Sequence, residues 1–203
     1  MNPVEVKLYF AYTSPYSYLA YEPARALETS HRVRVRFIPY GINIRRVYGP
    51  LDNPEADRRK VRYLYLDARR IARERGLSIH PPTKIFSCRL AFYGGLYAAR
   101  CGRFHEYSAR VFERFWRREL DVEDRGAINA VLAESGCDPA GFTAYAETQA
   151  RAELDRCFAE ADSDRIFGVP TFIVEGEPFW GEDRIGWVIR RLDAMGLRSP
   201  TPG

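Results

Sequence analysis

Ser14-Pro15-Tyr16-Ser17 sets two hydroxyls three positions apart where the chain changes its period. Val4, Val6, Leu8 and Phe10 alternate as in a half-buried strand, and the residues after Pro15 follow helical spacing. The strand therefore stops near Thr13 and a helix begins. Pro15 carries the φ of a first helical turn and has no N–H to leave unpaired, so Ser14 or Thr13 is the N-cap. Ser14 then stands among unpaired helix amides at the positive end of the helix dipole, which favours negative charge on a bound group. A serine that only caps the helix has the same local sequence.

A second stretch with chemical potential lies far along the chain, Gly168-Val169-Pro170-Thr171-Phe172-Ile173-Val174, followed by Phe179-Trp180-Gly181-Glu182-Asp183-Arg184. Proline cannot donate within a ladder, so Pro170 marks the first residue of a strand or an edge. Strand, turn and strand follow, with Glu175-Gly176-Glu177 as the turn.

Between these stretches the periodicity predicts mostly helix. After the first helix, about residues 15–29, Arg32 to Pro39 reads as a second strand, and two strands joined by a helix imply a right-handed parallel βαβ unit. Tyr40 to Asp52 is irregular and reads as an exposed loop. Asn53-Pro54-Glu55 starts a helix that Gly76 ends. Further helices are expected from about Ser87 to Cys101, Phe104 to Trp116, Asp121 to Ser135, and Asp138 to about Ala161. The stripe of Phe104, Tyr107, Val111, Phe112 and Phe115 reads as core. A last helix, about Asp183 to Met195, packs back on the sheet.

Composition narrows the classes. A chain of 203 residues with 46% hydrophobic and 29% charged residues is an ordinary globule able to bury a substantial core. The net charge is only +4, and the arginines are interleaved with acids. Arg58-Arg59-Lys60-Val61-Arg62 is the densest basic run, yet it has no aromatic platform, so no nucleic-acid partner is expected. No segment approaches the ~20 apolar residues of a membrane span, and the N-terminus has no signal-peptide pattern, so no membrane partner is expected. Cys88, Cys101, Cys137 and Cys157 include no C-x-x-C, and His31, His80 and His105 are isolated, so reduced thiols, a cytoplasmic location and no metal are expected.

Ser-Pro opening the first helix, with Val-Pro-Thr-Phe and Phe-Trp-Gly-x-Asp-Arg near the other end, resembles the thioredoxin-fold group of 2-hydroxychromene-2-carboxylate isomerases and kappa-class glutathione transferases, which are DsbA-like. The resemblance spans nearly the whole chain. It implies an α/β thioredoxin-like fold (βαβ…ββα) with a large all-helical insertion between strands two and three. Residues 1–39 and 164–203 would form the thioredoxin-like domain, and residues 40–163 the linking loop and inserted helical domain.

The resemblance also implies a site. Disulfide oxidoreductases of this fold carry C-x-x-C where this chain has Ser14 to Ser17, so that redox role is not expected here. The bound thiol would be glutathione, with Ser14 donating its hydroxyl to the sulfur. Val169, before a cis Pro170, would pair with the cysteinyl backbone as an added strand does. Asp183 would hold the α-ammonium of the γ-glutamyl end, with Glu182 beside it, where the family has a small hydroxyl or amide residue. Arg46 stands for a family lysine if Gly49 matches the family glycine, and it is the expected holder of a substrate carboxylate. Pro50 then replaces the family asparagine. Asn53 serves in that place only with a local shift and reads more strongly as a helix cap.

The reaction implied is glutathione-dependent isomerisation of a conjugated aromatic pyruvate, in which thiolate addition turns a double bond into one that rotates, and elimination restores it. A kappa-like transferase and a non-catalytic thioredoxin-fold binding module are the alternatives. A homodimer is expected by resemblance.

Overall fold

The computed structural model describes residues 3–41 and 54–200, side chains of residues 54–57 excepted. Strand β1 (Val4–Phe10) runs parallel to β2 (Val33–Pro39), in register from Val4 opposite Val33 to Phe10 opposite Pro39, with helix α1 (Pro15–Ser30) as the crossover. Strand β3 (Thr171–Val174) returns antiparallel on the other side of β1, with Tyr9 opposite Thr171. Strand β4 (Glu177–Trp180) forms the far edge, giving the order β2-β1-β3-β4. The β3–β4 turn is tighter than expected, because Glu175 and Gly176 both take positive φ, 50° and 81°, and Glu177 already belongs to β4. Such a two-residue turn matches the twist of a hairpin.

Strand β1 is more deeply buried than simple alternation suggests. Leu8, Tyr9 and Phe10 are all buried in succession, as a central strand covered on both faces must be. Val6 and Leu8 pack on one face with Ala24 and Leu27 of α1, Phe172 and Val174 of β3, and Val188 and Leu192 of helix α8 (Ile185–Ala194). Tyr9 packs on the other with Ile38, Ala161, Ile166 and Ile173.

The helical block lies between β2 and β3, and comprises α2 (Pro54–Glu74), α3 (Arg89–Arg100), α4 (Phe104–Arg117), α5 (Arg125–Glu134), α6 (Pro139–Thr148) and α7 (Ala150–Ser163). Asp124 caps α5 by accepting the Ala127 N–H at 2.6 Å, so this helix starts later than Asp121. The single helix expected over 138–161 is two. Gln149 leaves the helical region at φ −124°, although its N–H still reaches Tyr145 O and its C=O still accepts from Glu153. Hydrophobic period continues through this kink, which is why periodicity does not reveal it. The final helix is likewise preceded by a 3₁₀ turn, Glu182–Arg184. Among the described residues no helix is long and apolar enough to cross a membrane.

An aromatic cluster ties the block to the sheet just ahead of the Ser14 tetrad. Phe10 meets Tyr12, Phe92 and Phe104 edge-on at 5.0–6.1 Å. Tyr12 packs against Phe112 at 4.9 Å and shares a 2.7 Å hydrogen bond with the buried Ser108 hydroxyl. The expected stripe on α4 is therefore core, with Tyr107, Val111, Phe112 and Phe115 buried.

Candidate functional site

Ser14 is the N-cap of α1 and is 5% exposed. Its Oγ accepts the Ser17 N–H at 3.2 Å and its carbonyl accepts the Tyr18 N–H at 3.1 Å. Pro15 has no N–H, so the Tyr16 N–H is the first-turn amide left without a partner among the described residues. A serine hydroxyl can donate one bond while accepting another, and the Ser14 O–H has no acceptor among the described residues. Two donors are thus left at the positive end of α1, an arrangement suited to an anion. Ser17 is used differently, since its Oγ accepts the Ala11 N–H at 3.3 Å and fixes the strand-to-helix turn.

Pairing of Tyr9 with Thr171 brings Pro170 to the same end of the sheet as the α1 start. The Val169–Pro170 peptide is cis, as expected. Pro170 O accepts the Gly181 N–H at 2.9 Å, and the Thr171 hydroxyl donates to Gly168 O at 2.7 Å. The Val169 N–H and C=O have no hydrogen-bond partner among the described residues. A Cβ at Gly168 would lie 2.7 Å from Trp180 Nε1, so any larger residue there would displace the exposed Trp180 ring.

The 3₁₀ turn packs on α1. Glu182 is 7% exposed and accepts a 2.8 Å bond from Arg75 Nη2, whose other nitrogen donates to Leu19 O at 2.7 Å. The Glu182 carboxylate is thus already engaged within the protein. Asp183 is exposed, with Arg184 at 3.4 Å. Arg46 and Asn53 lie outside the described residues.

A cleft of about 610 Å³ adjoins the α1 start at Thr13, a volume typical of small-molecule sites. Its walls are aromatic, with Tyr65, Phe86, Phe92, Phe115 and Phe158. Cys88, the N-cap of α3, sits at the junction, beside Tyr12 and Thr13. Burial pushes the Cys88 thiol up to about 12, so it is a poor nucleophile near neutral pH. Among the described residues, two cations line the cleft. Lys84 pairs with Glu123 at 2.6 Å, whereas Arg89 is exposed and has no ion-pair partner among the described residues.

Sequence reasoning places Ser14, Val169, Pro170, Glu182 and Asp183 around the α1 start, and the fold brings those segments to one end of the sheet. It does not find Cys88, Arg89 or the aromatic cleft. Ile79-His80-Pro81-Pro82 reads as a break, and the wall from Pro82 to Arg89 follows no regular period that would announce it.

A βαβ unit and a ββα unit sharing one four-stranded sheet, with a helical block between them and a cis-proline at the same end of the sheet as a helix start, define a thioredoxin fold of the DsbA type. The chain belongs to the DSBA-like thioredoxin domain family, whose family model matches residues 5–192. It is 28% identical over 186 residues to a 2-hydroxychromene-2-carboxylate isomerase of Pseudomonas putida, covering 89% of this chain and 90% of that protein. Among solved structures it resembles a 2-hydroxychromene-2-carboxylate isomerase with TM-score 0.79 and 24% identity, over 95% of this chain and 96% of that one. It resembles a probable DsbA oxidoreductase from Streptomyces coelicolor with the same TM-score of 0.79 and 16% identity, over 98% and 93% of the two chains. Fold likeness therefore does not choose between isomerase and oxidoreductase, and the choice rests on the site.

Proposed function

We propose that this protein is a glutathione-dependent isomerase of the 2-hydroxychromene-2-carboxylate isomerase type, acting on a conjugated aromatic pyruvate. The observation that carries the reading is the pair of uncommitted donors, the Ser14 O–H and Tyr16 N–H, at the start of α1, at the same end of the sheet as the cis Val169–Pro170 peptide. The relatives named as isomerases favour it over the oxidoreductase reading, as do the serines at both ends of the tetrad, which cannot form a disulfide.

The residues fit glutathione. Ser14 and Tyr16 would face its sulfur, the unpaired Val169 backbone would take its cysteinyl amide as an added strand, and exposed Asp183 would take its ammonium. Glu182, held by Arg75, would position Asp183 rather than bind. When bound, glutathione supplies a thiolate that adds to the conjugated double bond and leaves after rotation. A hydrogen bond to a charged sulfur is worth about 1.5–3 kcal/mol, and one pH unit is about 1.4 kcal/mol. Ser14 alone therefore lowers a thiol from ~8.5 by roughly 1–2 units, enough for much of it to ionise at neutral pH.

The aromatic cleft takes the substrate ring, and Arg89 takes its carboxylate, with a planar fork suited to two parallel bonds. The same cleft suits an apolar electrophile, which keeps a kappa-like transferase as the second reading. Product analysis on conjugated aromatic pyruvates, with and without glutathione, tests the proposal. Isomer formation that requires glutathione without consuming it supports the isomerase. Accumulation of a stable conjugate supports the transferase, and no turnover with glutathione bound leaves a binding module.

A further inference from the structure

Cys101 and Cys137 meet at the end of α3 opposite to the cleft. Cys101 is the C-cap of α3 and is exposed, while Cys137 follows the end of α5 and is 6% exposed within the helical core. Helix α3 packs against α5 and α6, and the Gly136 Cβ position lies 3.5 Å from Arg103 Nε, which sets the α5–α6 connection against the residues just after Cys101. The Cys137 and Cys101 thiols lie within electrostatic reach of each other. Tyr97, one turn back along α3, packs its ring on Phe142 of α6 at 5.7 Å and lies within electrostatic reach of both Cys101 and Cys137. The other two cysteines are placed differently, with Cys88 against Thr13 and Cys157 among Glu153 and Glu160.

We propose that Cys101 and Cys137 form a dithiol redox site, which a low-molecular-weight disulfide converts to an intramolecular disulfide. In the first step the exposed Cys101 thiol loses its proton to solvent and its sulfur attacks one sulfur of the small disulfide. A mixed disulfide forms and one small thiol leaves. In the second step the deprotonated Cys137 sulfur attacks Cys101 Sγ, and the second small thiol leaves. Two protein thiols are oxidised and one small disulfide is reduced to two thiols. Burial, and then contact with Cys101, push the Cys137 thiol up to about 11, so the closing step quickens with rising pH because only the thiolate attacks. The exposed position of Cys101 keeps the bond open to reduction. The bridge fastens the C-terminal end of α3 to the α5–α6 connection, and the N-terminal end of the same helix lines the cleft.

The test equilibrates the full chain in mixtures of reduced and oxidised glutathione, quenches with acid, blocks free thiols and maps the peptides. The expected result is the joint loss of the Cys101 and Cys137 thiols as one cross-linked peptide, reversed by dithiothreitol. At a fixed ratio of the two glutathione forms, tenfold dilution should raise the oxidised-to-reduced protein ratio about tenfold, since closure releases two thiols for each disulfide consumed. A mixed disulfide would not respond to that dilution. Cys101→Ala, a surface change, should abolish the cross-link and leave the fold intact. A glutathionyl adduct on Cys101 with Cys137 still free, cross-linking through Cys88 or Cys157, or both thiols intact in excess oxidised glutathione would overturn the proposal.

Discussion

Arg75 fills at Leu19 a hydrogen bond that α1 cannot make for itself. Pro23, inside α1, has no N–H to offer the carbonyl four residues earlier, and Arg75 Nη1 donates to that carbonyl at 2.7 Å. The same guanidinium holds the Glu182 carboxylate at 2.8 Å, so one side chain joins α1, the end of α2 and the turn carrying Asp183.

Arg75→Met should therefore cost more than a surface pair does. It leaves a buried carboxylate and a helix carbonyl without their donor, a loss of about 2–3 kcal/mol once the partial exposure of Arg75 is allowed for. At roughly 2–4 °C per kcal/mol the melting midpoint falls by about 4–12 °C. Adding Glu182→Gln should recover part of this, because the stranded charge is gone. Two losses that simply add would show that the residues do not act as a pair.

A second cluster predicts acid sensitivity. Arg36, and then Lys7, hold the Glu160 carboxyl down to about 2, from the usual 4.5. The folded chain thus binds fewer protons than the unfolded chain between those values. The stabilisation is complete above about pH 4.5 and is lost as the pH falls through about 2. Solvent screening of this partly exposed group limits it to roughly 1–2 kcal/mol. Urea midpoints measured at about pH 5 and pH 3 should diverge more for the wild type than for Glu160→Gln, and equal pH slopes would remove Glu160 from the account.

Arg89→Ala should raise KM for a carboxylate-bearing substrate by about 10- to 100-fold, the worth of a charged hydrogen bond, with little change in kcat or in glutathione affinity. Steady-state kinetics separates this from a fold defect. An unchanged KM would place the carboxylate elsewhere.

The two ends of the site were legible because their signals are local. Ser14-Pro15 carries its cap and its first-turn proline within two residues, and Val169-Pro170-Thr171 announces a strand that starts just after a proline. Pro23 is just as visible, but nothing near it shows that Arg75 supplies the missing donor, since that partner comes from another helix. The cleft is illegible for the same reason, being assembled from Thr13, Tyr65, Phe115 and Phe158 on separate elements. The kink at Gln149 escapes because Tyr145 and Ala150 are both buried on either side of it, so the apolar pattern runs on unbroken.

Added glutathione should stabilise the folded chain. At 100 times its Kd a ligand contributes about 2.7 kcal/mol, which moves the melting midpoint by roughly 5–11 °C for a chain of this size. A midpoint that stays fixed at saturating glutathione would remove glutathione from the site.

The central claim is that the Ser14 hydroxyl stabilises a bound thiolate as well as capping α1. The direct measurement is the ultraviolet absorbance of the thiolate, titrated against pH in the glutathione complexes of wild type and Ser14→Ala. The account predicts that the variant's titration moves upward by about 1–2 pH units, with activity at neutral pH falling roughly 10- to 100-fold and recovering as the pH rises. Loss of the cap alone costs about 1 kcal/mol of stability and moves no titration. Superimposable curves for the two complexes would contradict the account and leave Ser14 as a helix cap.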